Sequence, residues 1–244
     1  MSAVSHFFKR AALTVLSVLA ALFLLTQLRY PSALPADSAQ EAVEPKYIAI
    51  TFDDGPKRTT TVRLLDGLRQ RGVPATFFLV GELVPGNEDI LRRMVLDGHE
   101  VGIHSYTHGR LTALNDADFS AEVDRAGVVL SNTVGQETYL LRPPYGDVDP
   151  GVLRRAQGPI ILWSIDPRDW SDRNTERQVA EILTQAKDGD IILLHDIYES
   201  SVETAFQVID SLQQNGFYFL TVSDLFAAKG IPLEQGQVYR RAGK

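Results

Sequence analysis

The chain has 244 residues, 44% of them hydrophobic and 23% charged, which suffices for one domain with a large core and excludes disorder over most of its length. The formal net charge is −7 at pH 7, and the first 29 residues hold Lys9, Arg10 and Arg29 but no acid, so the remainder is more acidic still; such a body argues against a nucleic-acid partner, whose phosphates need a basic face. There is no cysteine, which removes disulfide frameworks, thiolate zinc sites and cysteine nucleophiles, and leaves any metal to His, Asp or Glu.

Behind the basic stretch MSAVSHFFKR, residues 11–25 (AALTVLSVLAALFLL) carry no charge, and the apolar run extends to Leu28. That approaches the ~20 apolar residues needed to cross a bilayer, and the apolar character runs all round, unlike a core helix with one polar face. No small-x-small cleavage site follows directly; the best triplet, Ala36-Asp37-Ser38, lies well downstream. Residues 1–29 are therefore expected to form an apolar helix acting as a membrane anchor, with Lys9 and Arg10 on the cytoplasmic side and the body outside. A cleaved signal, giving a secreted or periplasmic protein, is the alternative. Residues 30–46, rich in Pro, Ala, Ser and Glu, read as an extended linker.

From there the pattern alternates. Apolar strand-like runs are predicted at 47–53, 75–80, 100–104, 139–143, 159–165, 190–195 and 217–222. Between them, helices are predicted from Thr59 to Arg71 with Gly72 as stop, from Asn87 to Leu96 with Asn87 as cap, and over Asp116–Leu130, Asn174–Lys187 and Val202–Gln213. Strands apolar on both faces and separated by helices imply a parallel sheet, as a barrel or doubly wound, with 231–244 left as a C-terminal tail. Sites in such folds gather at the carboxyl ends of the strands.

Four motifs stand at those ends. TFDDGP places Asp53 and Asp54 where a strand stops; read alone it is an Asp-Gly turn, but a chain turning at Asp54 lets one carboxylate ligate a cation and the other act as a base. HSYTH spaces His104 and His108 as i, i+4, able to hold one cation from one side of a helical turn. RPPYG puts Arg142 where it can pair with a carboxylate and makes the Tyr145 amide the first N–H after two prolines, a candidate oxyanion donor. The run ending in His195-Asp196 offers an imidazole as general acid, with Asp166 or Asp169 as the tuning carboxylate, and Trp163 and Trp170 suit a sugar face or an acyl group.

TFDDGP, HSYTH, RPPYG, DPRDW and LLHD, in that order, resemble the five motifs of the polysaccharide deacetylases, carbohydrate esterase family 4 or the NodB-homology domain, over about residues 46–225. The resemblance implies an α/β fold, a distorted (β/α) barrel spanning 47–230. It implies a divalent metal held by Asp54, His104 and His108, usually zinc, with cobalt or nickel as substitutes. Asp53 would deprotonate the water at the metal, oriented by Arg142, and the Tyr145 amide would stabilise the oxyanion. His195, set by Asp169, would protonate the departing amine, while Trp170, Leu193 and Tyr145 would line the acetyl pocket. Ile103 stands where many relatives carry Asn, outside the ligand set. The expected activity is removal of N-acetyl groups from a GlcNAc-containing glycan such as peptidoglycan, an exopolysaccharide or a chitin-like polymer, with no protein partner predicted. A carbohydrate-binding protein of the same fold without catalysis, or a hydrolase of non-sugar amides, are the alternatives.

Overall fold

Alternation along the first strand sets the architecture. In β1 (Lys46–Asp53) the residues Ile48, Ile50 and Phe52 join the large apolar cluster beneath the helices, while Ala49 belongs to a second cluster on the opposite face. Successive strand residues point to opposite sides, so Ala49, Thr51 and Asp53 share the inner face. The computed structural model describes residues 44–136 and 139–243; the expected anchor and nearly all of the expected linker lie outside them. No helix among the described residues is long and apolar enough to cross a membrane.

The helices, in chain order, are α1 (Arg58–Arg71), α2 (Glu88–Leu96), α3 (Asp116–Val134), α4 (Pro150–Arg155), α5 (Thr175–Gln185), α6 (Glu199–Gln214) and α7 (Val222–Ala228). The strands after β1 are β2 (Thr76–Leu79), β3 (Glu100–Ile103), β4 (Ile160–Ile161), β5 (Ile191–His195), β6 (Phe217–Phe219) and β7 (Val238–Tyr239). β1 lies between β2 and β5, its first residues also pair with β6, and β2 pairs with β3, all in parallel. Single parallel bridges complete the circuit: Ile103 with Leu141, Leu141 with Ile160, and Ile165 with Ile192. The result is a closed but uneven (β/α) barrel. Its lower end is filled by Val222, Leu225 and Phe226 of α7 against Ala49 and Ile191.

The regions expected as strands at 139–143 and 159–165 are reduced to Leu141 and to Ile160–Ile161 with a bridge at Ile165. Pro143, Pro144 and Pro159 lack the N–H that a ladder needs, so the circuit is thin there. Asn87 sits at the N-cap of α2 but makes no capping bond; its amide donates to the Leu83 carbonyl instead. Gly72 does end α1, at φ 63° with its N–H on the Arg69 carbonyl. Residues 231–243 are not a loose tail: β7 pairs with β4, Ala242 is buried, and the Ala242 N–H donates to the Gly189 carbonyl.

Candidate active site

The chain turns through left-handed residues where it leaves β1, β3 and the Leu141 segment. Asp54 (φ 74°) follows β1, Ser105 (φ 61°) and His108 (φ 60°) follow β3, and Tyr145 (φ 63°) follows Leu141. Left-handed backbone at non-glycine residues costs on the order of 1–3 kcal/mol each and persists where surrounding contacts over-determine it. Those contacts are visible for the 104–108 loop. Glu122 of α3 accepts from the N–H groups of Tyr106 and Thr107 (2.9 and 2.8 Å) and from the Thr107 hydroxyl at 2.6 Å. The expected helical turn is thus an irregular loop, but its two imidazoles still meet, with ring centroids 5.0 Å apart.

Around Asp54 the geometry suits a cation. Its Oδ1 lies 3.4 Å from Nε2 of His104 and 3.2 Å from Nε2 of His108, and it is buried with no hydrogen-bond donor. Nδ1 of His104 is 2.7 Å from the Arg142 carbonyl, which can only accept. That contact fixes the proton on Nδ1 and turns the Nε2 lone pair towards Asp54, the arrangement that supports a metal-ligating imidazole. Two imidazole nitrogens and one carboxylate oxygen converge within 4.8 Å of one another, a donor set for a borderline divalent ion such as zinc.

On one side of this cluster Asp53 Oδ1 takes a 2.7 Å ion pair from Arg142, with both groups buried, while Asp53 Oδ2 turns towards His104 Nε2 at 3.7 Å. Arg142 fills the barrel interior. It donates to the Thr51 hydroxyl (2.7 Å) and to the carbonyls of Ile161 (3.0 Å) and Leu162 (3.1 Å), and its guanidinium lies 4.0 Å from the Phe78 ring. On the other side His195 Nδ1 is 2.7 Å from Asp169 Oδ1, and the His195 N–H donates to Asp169 Oδ2 at 2.8 Å. Asp169 is fully buried and also accepts from the Ser201 hydroxyl at 2.5 Å. Burial opposes the charged imidazole of His195, but Asp169 prevails, with help from Asp53 and Asp54, and its pKa is pushed up to about 9. Asp166, the other candidate partner, instead accepts from the Arg168 N–H.

Asp53, Asp54, His104, His108, Tyr145, Trp163, Asp166, Trp170, Leu193 and His195 line one cavity of about 360 Å³. Trp163 and Leu193 form its apolar wall, and Trp170 stands half-exposed at its mouth. Tyr145 is the middle residue of the single turn Pro144–Gly146, whose hydrogen bonds run from the Gly146 and Asp147 N–H groups to the Pro143 and Pro144 carbonyls. Its ring packs edge-on against His108 and beneath Arg110, which is ion-paired with Asp147.

Several supporting residues carry no sequence signal. Glu122 and Ser201 read as ordinary helix positions, and Thr51 as an ordinary strand residue. Asp196 is fully buried beside Gly55, where an added Cβ would meet its carboxylate at 2.4 Å, and it accepts from the Thr61 hydroxyl. Burial lifts the Asp196 pKa to about 7, and the Asp54 charge adds to the effect.

Residues 40–158 match the family described as polysaccharide deacetylase. The chain is 38% identical over 192 residues to the peptidoglycan-N-acetylmuramic acid deacetylase PdaC of Bacillus subtilis, a match covering 78% of this chain and 41% of that protein. It is also 38% identical over 193 residues to a peptidoglycan-N-acetylglucosamine deacetylase of Bacillus cereus, covering 75% and 90%. A family 4 acetyl xylan esterase from Clostridium thermocellum, solved with a cobalt ion, is similar with a TM-score of 0.78 at 30% identity, over 82% of this chain and 100% of that one. The chain spans under half the length of some curated relatives, PdaC among them.

Proposed function

The chain belongs to the polysaccharide deacetylase family, and from that premise we propose that it is a metal-dependent hydrolase removing N-acetyl groups from a GlcNAc-containing polysaccharide. The observation that carries this reading is the pairing of two differently equipped groups across one cation-binding cluster: Asp53 with Arg142 on one side, His195 with Asp169 on the other.

Asp54, His104 and His108 would hold the divalent ion. When bound, it supplies positive charge that acidifies a water and polarises the acetyl carbonyl. Asp53 Oδ2 accepts a proton from the attacking water, while Arg142 keeps Oδ1 occupied and the carboxylate fixed in orientation. The Tyr145 N–H donates to the carbonyl oxygen as negative charge develops on it. His195, protonated through Asp169, delivers a proton to the sugar nitrogen as the C–N bond breaks. Acetate and a free amine leave. Trp163 and Leu193 exclude water around the methyl group, and Trp170 offers a flat face to the sugar ring.

Activity should appear as acetate release from acetylated chitooligosaccharides by the purified chain, lost with a chelator and recovered with zinc or cobalt. Metal binding without acetate release from any acetylated glycan would sink the reading. The uncharged stretch of residues 11–28 supports a catalytic domain tethered outside the cytoplasmic membrane. Protease added to intact cells should then digest the domain; protection until the cells are lysed would reverse that orientation.

A further inference from the structure

A second cavity, of about 470 Å³, opens beside the catalytic pocket on the same end of the barrel, lined in part by Lys57, Thr59, Arg173, Tyr198 and Ser200. Its walls are continuations of the catalytic segments. Lys57 follows the TFDDGP turn, Arg173 follows Asp169-Trp170, and Tyr198 follows His195, with the His195 and Tyr198 ring centroids 6.4 Å apart. The His195–Tyr198 ring contact makes this cavity the immediate neighbour of the catalytic pocket.

The two cavities differ in how their charges are matched. In the catalytic pocket the charges are already matched, Asp53 by Arg142 and His195 by Asp169, with Asp54 turned to the cation cluster. The neighbouring one presents two cations that, among the described residues, make no ion pair. Lys57 Nζ donates only to the Ile197 carbonyl at 3.0 Å. Arg173 uses one terminal nitrogen on the carbonyls of Asp169, Trp170 and Asp172, and its guanidinium stacks 3.6 Å from the centre of the Tyr198 ring. Its Nε and second terminal nitrogen remain as donors in a plane fixed by that stacking, suited to a carboxylate. The acid in the same cavity, Glu199, is paired with Arg63 at 2.9 Å. In a chain of net charge −7, two unpaired cations beside the reaction centre mark a preference.

Resting on the deacetylase reading above, we propose that Lys57 and Arg173 form a subsite for a carboxylate on the sugar unit adjacent to the one deacetylated, so that the substrate is an anionic rather than a neutral acetylated glycan.

The test compares acetate release from a peptidoglycan-derived oligosaccharide with free carboxylates and from the same oligosaccharide after methyl esterification. The full chain should prefer the free acid in kcat/KM by about three- to ten-fold, the range expected of one or two partly exposed charge pairs, and the preference should shrink as salt is added. Arg173→Gln and Lys57→Gln should each reduce that ratio. Because the readout is a ratio between two substrates of one protein, a general loss of folding or turnover cancels. Equal rates on acid and ester, or a ratio untouched by both substitutions, overturns the subsite. If neither these nor neutral chitooligosaccharides yield acetate, the deacetylase reading itself fails, and the subsite with it.

Discussion

Replacing Arg142 by Met keeps an unbranched side chain in the barrel interior but removes its charge and every donor. Four bonds are lost, to Asp53, to the Thr51 hydroxyl and to the carbonyls of Ile161 and Leu162. The decisive loss is the ion pair with Asp53, since the two side chains are 0% and 3% exposed and water cannot take over. Breaking a buried pair from one side costs about 3–5 kcal/mol, because the remaining charge is left without compensation. Urea unfolding of the metal-free protein should therefore lose about 3–5 kcal/mol with an unchanged m-value. The double variant R142M/D53N has no buried charge to strand, and it should recover about 1–3 kcal/mol relative to R142M alone. A single variant within about 1 kcal/mol of the parent, or a double variant no more stable than the single, would refute the account of Arg142 as the counter-charge that makes Asp53 tolerable in the core.

Further outcomes follow from the same geometry. His195 carries a raised pKa, so its charged form stabilises the metal-free fold fully below about pH 6.5, and that contribution fades as pH rises towards about 9. In Asp169→Asn the decline across this window should flatten, seen as melting temperatures taken at intervals between the two ends. Zinc should raise the unfolding free energy by about 2.7 kcal/mol at a free concentration one hundred times its dissociation constant. His108→Ala should weaken zinc binding at least about tenfold by calorimetry, an intact affinity showing that His108 is not a ligand. Gly146→Ala forces a side chain onto φ 66° and into the Trp163 ring at 2.7 Å. Turnover should fall about tenfold or more while stability drops by only about 1–3 kcal/mol, with the change in tryptophan emission reporting the displaced ring.

Much of this molecule is legible in its sequence because the informative features are local. Apolar runs mark β1, β2, β3 and β5, and Asp53, Asp54, His104 and His195 stand one or two positions beyond such a run. The remainder depends on contacts distant in sequence. Nothing near residue 122 signals that its carboxylate will hold the backbone of residues 106 and 107, and nothing near 201 that a serine will reach Asp169. The 139–143 and 159–165 runs satisfy an apolar pattern, yet prolines strip them of donors, so pattern alone overstates the strands. The i, i+4 spacing of His104 and His108 suggests a helical turn; two left-handed residues reach the same juxtaposition by another path. His195 illustrates the reverse case: the residue pattern alone leaves Asp166 and Asp169 open as partners, the resemblance implies Asp169, and the fold brings Asp169 to the ring while Asp166 accepts from the Arg168 N–H.

The thin stave at Leu141 has a consequence for how well the two halves of the site are aligned. Going round the wall, Asp53 at the end of β1 is connected to the Tyr145 amide through β2, β3 and one isolated bridge, and small displacements at each joint would add along that path. Arg142 cuts across the ring. Its backbone lies three residues from Tyr145, its side chain ends on Asp53 at 2.7 Å, and Pro143 and Pro144 stiffen the short backbone path that remains. In the language of tolerances, carboxylate and amide are gauged from one common datum instead of through a chain of joints. The spacing between them can stay fixed even while the wall around it is loosely made.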